Sequence, residues 1–162
     1  MKKFELTTEF ITNAFGKKLF RIKALVEFGD VKAGELGGYV EKEGNVSQAD
    51  NAWVSGDARV YDNARVSGNA WVSGNARVSG DALVFGDADY ALVQGFGTEF
   101  RCTTFYRGKN KKIMVNCGCF HGDLEGFRKQ VKETRNGKIA KEYLMIADLM
   151  EYHFTSEDSS NE

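Results

Sequence analysis

The chain has 162 residues, of which 42% are hydrophobic and 28% are charged, and its formal net charge is −1. This balance is typical of a soluble protein of one domain or two small ones, and it argues against general attraction to nucleic acids or membranes. The sequence has no apolar run near the roughly 18 residues that cross a bilayer and no signal-peptide pattern at "MKKFELTTEF", so we expect a cytoplasmic protein.

Residues 1–35 contain two stretches of alternating apolar residues, "FELTTEFI" and "KLFRIKAL", on either side of "NAFGK". This pattern predicts a β-hairpin. Because a stack of short strands leaves unpaired edges at its ends, we expect the hairpin to cap the repeat that follows.

Residues 36–95 are dominated by the phrase Asn/Asp-Ala-x-Val-x-Gly, which recurs every six residues and is clearest over Asn51–Ala88. A period of six does not match the 3.6 residues of a helical turn, whereas Ala and Val two residues apart lie on one side of a strand. Asn, Asp and Gly supply the corners between strands. Three such sides would close one coil of about 18 residues, with Ala and Val facing inward.

Units such as "VSGDAR" and "VSGNAW" resemble the left-handed β-helix of hexapeptide-repeat proteins. The resemblance implies about three coils and, because such β-helices are commonly trimers, a homotrimer. Fold alone does not imply the transferase activity of many such proteins.

Residues 96–154 predict a separate ββαα module. The segment "EFRCTTFYRGKNKKIMVNCGCF" indicates two strands joined by a turn at "GKNK". Asp123 is a candidate N-cap for a helix over about 124–135, and a second helix is predicted over about 139–154. We expect residues 155–162 to form a disordered acidic tail.

The predicted fold is therefore mainly β, a short left-handed β-helix with an N-terminal β cap and the C-terminal ββαα module. The segments Leu19–Val54 and Thr103–Phe127 also resemble uncharacterised proteins of phages and prophages of gut bacteria. That resemblance implies a mobile-element origin and brings no known activity with it.

The residue before each Val is predicted to point outward, and the 18-residue coil would arrange these residues in columns. The expected columns are Trp53 with Trp71, Arg59 with Arg77, and Arg65 with Leu83. An exposed Trp column needs a cover, which could be another subunit or a ligand that stacks a flat base on Trp while Arg holds its phosphate. A plain surface is the third interpretation.

The two histidines, His121 and His153, lie outside the repeat, whereas acyltransferases of this fold need a general base beside the coil. We therefore expect a protein without enzymatic activity and without a cofactor. An acyl- or nucleotidyl-type transferase and a purely structural trimerisation module remain as alternatives.

Cysteine and histidine residues in the C-terminal module raise the question of a metal site. Cys117, Cys119 and His121 would share one face of a strand, and hairpin pairing would place Cys102 opposite Cys117. The residue types fit zinc, but ligands two apart on an extended strand diverge. We expect free thiols that pack against the helices and no metal. A nucleophilic Cys119–His121 pair lacks a third, orienting group.

Five basic residues surround the predicted turn: Arg101, Arg107, Lys109, Lys111 and Lys112. Such a cluster could contact phosphate or an acidic protein surface, or could be a solvated turn. The functional expectation is thus an oligomeric binding protein encoded by a phage. It would counter host defence in the bacterial cytoplasm by blocking a defence protein or sequestering an anionic, nucleotide-like signal.

Overall fold

The structure, a computed structural model, describes residues 2–155 and is mainly β, with two helices at its C-terminal end. The strands are β1 (Phe4–Thr12), β2 (Lys18–Ala24), β3 (Leu36–Val40), β4 (Trp53–Val54), β5 (Arg59–Val60), β6 (Arg65–Val66), β7 (Trp71–Val72), β8 (Arg77–Val78), β9 (Leu83–Val84), β10 (Tyr90–Phe96), β11 (Arg101–Arg107), β12 (Ile113–Cys117) and β13 (Phe120–Asp123). The helices are α1 (Leu124–Thr134) and α2 (Gly137–Thr155). The predicted disordered tail lies outside the described residues, except for Thr155, which ends α2.

The six-residue phrase builds a β-solenoid. Each short strand pairs in parallel with the strand one coil later: β4 with β7, β5 with β8, and β6 with β9. Each residue of these strands therefore lies beside its counterpart in the next coil. The Val positions of the phrase and the Ala positions from Ala52 to Ala82 are buried, as predicted, whereas Ala88 is exposed. Corner glycines such as Gly74 and Gly80 adopt φ of 68° and 66°, a backbone conformation that other residues rarely take.

The N-terminal segment covers one end and one side of the solenoid. Strands β1 and β2 form an antiparallel hairpin, and β2 pairs with β3, which gives a sheet in the order β1-β2-β3-β5-β8. At the end of the stack, the Lys3 ammonium donates to the carbonyl oxygens of Asp50 and Ala52 at 2.8 and 2.6 Å. The hairpin thus pairs strand edges that would otherwise be open.

The C-terminal module has four strands rather than the two that were predicted. Its antiparallel sheet has the order β10-β11-β12-β13, and β10 already begins at Tyr90, five residues before the expected end of the repeat. Strand β13 follows β12 after a tight turn in which Gly118 has a φ of 59°. The two helices are present, and the Asp123 carboxylate accepts a hydrogen bond from Gly126 N at 2.8 Å, as expected for an N-cap.

The two faces of this sheet have different neighbours because side chains alternate along each strand. Phe105 and Val115 pack against the helices, whereas Tyr106 joins the solenoid core. The solenoid-facing residues also satisfy backbone groups of β8, the last strand on its side. Thr104 Oγ1 accepts from Arg77 N at 2.9 Å, and Asn116 Nδ2 donates to Arg77 O at 2.8 Å. The module therefore closes the second end of the solenoid.

No helix among residues 2–155 is long and apolar enough to cross a membrane.

Candidate functional site

The Trp column pairs in the predicted register, but it is not exposed. Trp53 has 0% exposure, because Phe4 and Phe28 of the N-terminal segment pack edge-on against its ring at centroid distances of 6.3 and 5.3 Å. Trp71 is half-buried and donates its indole N–H to Ser55 Oγ at 2.8 Å. The predicted exposure of Trp53 was therefore wrong, since the chain itself covers its ring.

The Arg column lies on a different side and remains accessible. Arg59 and Arg77 are directly opposite each other in β5 and β8, both half-buried, and neither forms a salt bridge with another described residue. Arg77 Nη2 donates to Gly118 O at 3.1 Å, which ties this guanidinium to the turn before β13. Arg65 lies opposite Leu83 on the third side and is exposed there.

Arg59 and Arg77 line a cleft between three parts of the chain. One wall is the turn of the N-terminal hairpin, the floor is the β5–β8 surface, and the other wall is the β12–β13 turn. The cleft contains adjoining cavities of about 350, 550 and 240 Å³, each of which is lined by Arg77. Other lining residues are Phe15, Lys17, Tyr61, Asp62, Cys119 and His121. The outer end also carries Asp57.

Asp62 and Lys17 form an ion pair across the cleft, with Lys17 Nζ at 2.7 Å from Asp62 Oδ1. Asp62 Oδ2 also accepts from Gly80 N at 3.0 Å. Partial burial opposes ionisation of Asp62, but the bonds from Lys17 and Gly80 outweigh it and lower the pKa of the carboxyl. Lys17 Nζ also lies 3.6 Å from Glu41 Oε2, so two carboxylates share its charge. The other cationic groups of the cleft are Arg59 and Arg77, with Asp57 at the outer end.

A buried amide fixes the orientation of His121 at the edge of the cleft. Asn116 Nδ2 donates to Arg77 O at 2.8 Å and to Ser79 Oγ at 3.0 Å, and Asn116 Oδ1 lies 2.6 Å from His121 Nδ1. A backbone carbonyl can only accept, so the amide nitrogen must face Arg77 and the amide oxygen must face His121. His121 Nδ1 therefore carries a proton, and in the neutral ring Nε2 is the acceptor.

The hydroxyl of Tyr106 extends the same network, 3.4 Å from both Ser79 Oγ and His121 Nδ1. Burial raises the pKa of Tyr106 to about 12, so this phenol stays protonated at neutral pH. Polar side chains from β8, β11, β12 and β13 thus hold one wall of the cleft in place.

The cysteines are arranged differently from the prediction. Strand pairing places Thr103, not Cys102, opposite Cys117, and Thr103 Oγ1 donates to Cys117 Sγ at 3.1 Å. Burial raises the pKa of the Cys102 thiol, whereas Cys119 is exposed in the cleft. Within residues 2–155, no three His, Cys, Asp or Glu side chains are grouped as a metal site.

The five basic residues of the predicted hairpin are spread along β11 and the turn that follows it. Arg101 and Arg107 are at opposite ends of β11, about 20 Å apart for an extended strand. Three of the five form salt bridges, Arg101 with Glu99, Arg107 with Asp89, and Lys112 with Asp123. Lys109 and Lys111 are exposed on the turn.

Sequence reasoning missed most of the cleft, although one signal was present. The repeat reads Val-Ser-Gly at 54–56, 66–68, 72–74 and 78–80, but Val-Tyr-Asp at 60–62. Asp62 adopts a φ of 60° where the other units place glycine. A non-glycine residue held in this conformation often marks a functional position. Lys17 and Asn116 carry no comparable signal.

Comparison with known families identifies the class of repeat. A family model described as "YdcK Beta solenoid repeat" matches residues 58–74. The match supports a β-solenoid repeat protein, in agreement with the observed strand pairing. The sequence has no significant match among curated proteins.

Proposed function

We propose that this protein binds a small anion in the Arg59–Arg77 cleft and has no enzymatic activity. The observation that carries the proposal is the pairing of Arg59 with Arg77 at directly opposed positions of β5 and β8, where neither side chain forms a salt bridge with another described residue. Like charges about 5 Å apart repel by about 1 kcal/mol in water and about 3 kcal/mol near a protein surface. A phosphate group between the two arginines would accept charge-assisted hydrogen bonds from both side chains and would offset this repulsion.

The surroundings of the arginines favour a nucleotide-like anion over a bare ion. Phe15 lines the cavity beside Arg59 and Arg77 and is 67% exposed, so its ring is free to stack on a planar ring of a ligand. The cavity next to His121, of about 350 Å³, is at the small end of the range typical of ligand pockets. A phosphate held by arginine and a ring stacked on Phe15 fit this arrangement.

In a phage, such a protein would act by sequestering a nucleotide-like signal of host defence in the cytoplasm. This biological role is inferred from the sequence resemblance to phage and prophage proteins. The concave shape of the cleft favours a small ligand over the alternative occupant, a host defence protein.

The finer architecture is also inferred. We expect a left-handed β-helix of about three coils that assembles into a homotrimer. Since the chain covers its own Trp side and the cleft occupies the Arg side, the subunits would pack through the third side, where Leu83 and Phe85 are 48% and 69% exposed. Native mass spectrometry of the wild type and of Leu83→Asp would test this, with loss of the trimer expected in the variant.

A transferase is the second candidate, because the oriented Nε2 of His121 is what a general base requires. A turnover assay with acetyl-coenzyme A separates the two functions. Activity that disappears in His121→Ala would establish the enzyme and overturn the binding proposal.

The binding proposal is tested by native mass spectrometry of protein purified from defence-active lysate. We expect a small retained anion that is absent from Arg59→Gln/Arg77→Gln and present in Arg65→Gln, which removes the same residue from the same repeat position on another side. A retained host protein would favour the defence-protein alternative. Bare protein from every lysate would count against sequestration.

A further inference from the structure

We infer that His121 Nε2 determines the specificity of the cleft by accepting a hydrogen bond from an N–H group on the ring of a nucleoside monophosphate. This inference rests on the proposed anion site, and it adds the chemical identity of the uncharged part of the ligand. His121 would act by direct contact, and Asn116 would be a positioning residue.

Asn116 leaves His121 little choice of tautomer. Asn116 is 3% exposed, and its amide nitrogen is held by Arg77 O and Ser79 Oγ. Turning the amide over would lose the hydrogen bond to Arg77 O and place two acceptor oxygens against each other in a buried place. Asn116 therefore presents its oxygen to His121 Nδ1, and the proton of the neutral imidazole stays on Nδ1.

The opposite edge of the His121 ring, which carries Nε2, is available to a ligand. Among the described residues, no donor lies within hydrogen-bonding distance of His121 Nε2. This nitrogen lies over Gly80, where an added Cβ would be only 3.2 Å away, so the glycine leaves room for the ring. His121 is exposed and lines the same cavity as Arg77.

Charged groups from two parts of the chain face His121 in this cavity. They are Arg77 from β8 and the Lys17–Asp62 pair, with the protonated Tyr106 hydroxyl on the buried edge. Lys17 and Arg77 only donate hydrogen bonds, and each carboxylate oxygen of Asp62 already accepts one, from Lys17 Nζ and from Gly80 N. Nε2 of the neutral imidazole is thus a hydrogen-bond acceptor beside cationic donors.

A ligand that matches this pattern has an anionic group at one end and a hydrogen-bond donor on a planar ring at the other. Nucleoside monophosphates meet both requirements, through their phosphate and through ring or exocyclic N–H groups. Pyrophosphate meets only the first, so it serves as the matched control ligand.

The test is calorimetric titration of AMP, GMP, CMP, UMP and pyrophosphate into the wild type and into His121→Phe, which keeps a planar ring but removes the acceptor. We expect at least one nucleotide to bind the wild type more tightly than pyrophosphate and to lose about three- to tenfold in affinity in the variant. Pyrophosphate should bind both proteins equally. If no nucleotide loses affinity in His121→Phe, the specificity role is wrong. If pyrophosphate and every nucleotide fail to bind the wild type, the anion site itself is wrong and the inference falls with it.

A second readout does not depend on any ligand. Nitrogen-15 NMR of the histidine side chains at pH 8 should show His121 protonated at Nδ1 in the wild type. Asn116→Leu, which removes the acceptor, should shift the proton toward Nε2. A wild-type His121 protonated at Nε2 would overturn the inference even if the arginines bind an anion.

Discussion

Arg59 and Arg77 lie side by side in adjacent parallel strands, and neither has a carboxylate partner among the described residues. The solenoid imposes this proximity, because every residue before a Val points outward and is stacked on its counterpart one coil away. On the third side the same rule places Arg65 beside Leu83, where no repulsion arises. The fold thus places two cationic residues at neighbouring positions of one side.

Removing one charge of this pair should not weaken the fold. We expect Arg59→Gln to leave the free energy of unfolding unchanged or to raise it by up to about 1 kcal/mol, because the repulsion with Arg77 disappears. Arg65→Gln should have no effect beyond about 0.5 kcal/mol, as is usual for surface substitutions. Urea denaturation measures both. A loss of more than about 1 kcal/mol in Arg59→Gln would mean that this side chain stabilises the fold.

Replacing Trp53 should destabilise the solenoid. The ring is fully buried between Phe4 and Phe28, so Trp53→Ala should cost about 3–5 kcal/mol of unfolding free energy. Trp53→Phe should cost less, because it keeps an aromatic ring and removes an indole N–H that has no partner in the described structure. Chemical denaturation tests this order. Wild-type stability in the alanine variant would show that the N-terminal segment does not pack on the Trp side.

Lys3 should make stability depend on pH. Burial, partly offset by Asp50, lowers the pKa of Lys3 from 10.5 to about 8 in the folded protein. Between pH 8 and 10 the unfolded chain therefore holds more protons at this site, and the free energy of unfolding should rise with pH.

The matched variant for this prediction is Lys3→Met, whose unfolding free energy should lack that rise. The difference between the two pH profiles isolates Lys3, since other groups contribute equally to both. Parallel profiles between pH 8 and 10 would show that the ammonium group is not buried against Asp50 and Ala52.

Position 62 should tolerate glycine but not a β-branched residue. Asp62 has a φ of 60°, and glycine relieves this strain while losing the bonds to Lys17 and Gly80 N. We expect Asp62→Gly to lie within about 1 kcal/mol of the wild type and Asp62→Val to cost about 2 kcal/mol or more. Thermal denaturation of both variants checks this order, and a stable valine variant would contradict the backbone assignment.

Much of the solenoid could be predicted from its sequence, because the repeat itself encodes it. Ala and Val alternate on one side of each short strand, and this fixes both the core and the pairing of Trp53 with Trp71. The cover over Trp53 could not be predicted, since Phe4 and Phe28 lie outside the period and reach it only through tertiary packing. The first strand of the C-terminal sheet, β10, could not be recognised from the sequence, because Tyr90 occupies the Val position of the six-residue repeat.

The cleft was only partly predictable for a related reason. The Arg column follows from the period, but the walls come from residues 13–17 and 116–121, which no local pattern connects to the repeat. Cys119 and His121 drew attention as a metal or nucleophile pair, whereas the structure shows His121 oriented by Asn116. The departure at Tyr61 and Asp62 was the one local sign of the site.

The central claim is that Arg59 and Arg77 together bind a phosphate-type anion, and calorimetric titration with pyrophosphate at low salt tests it most directly. The wild type and Arg65→Gln should bind with equal affinity, whereas Arg59→Gln/Arg77→Gln should lose more than about tenfold, as expected for removing charge-assisted hydrogen bonds. Equal binding by the double variant, or an equal loss in Arg65→Gln, would contradict the account.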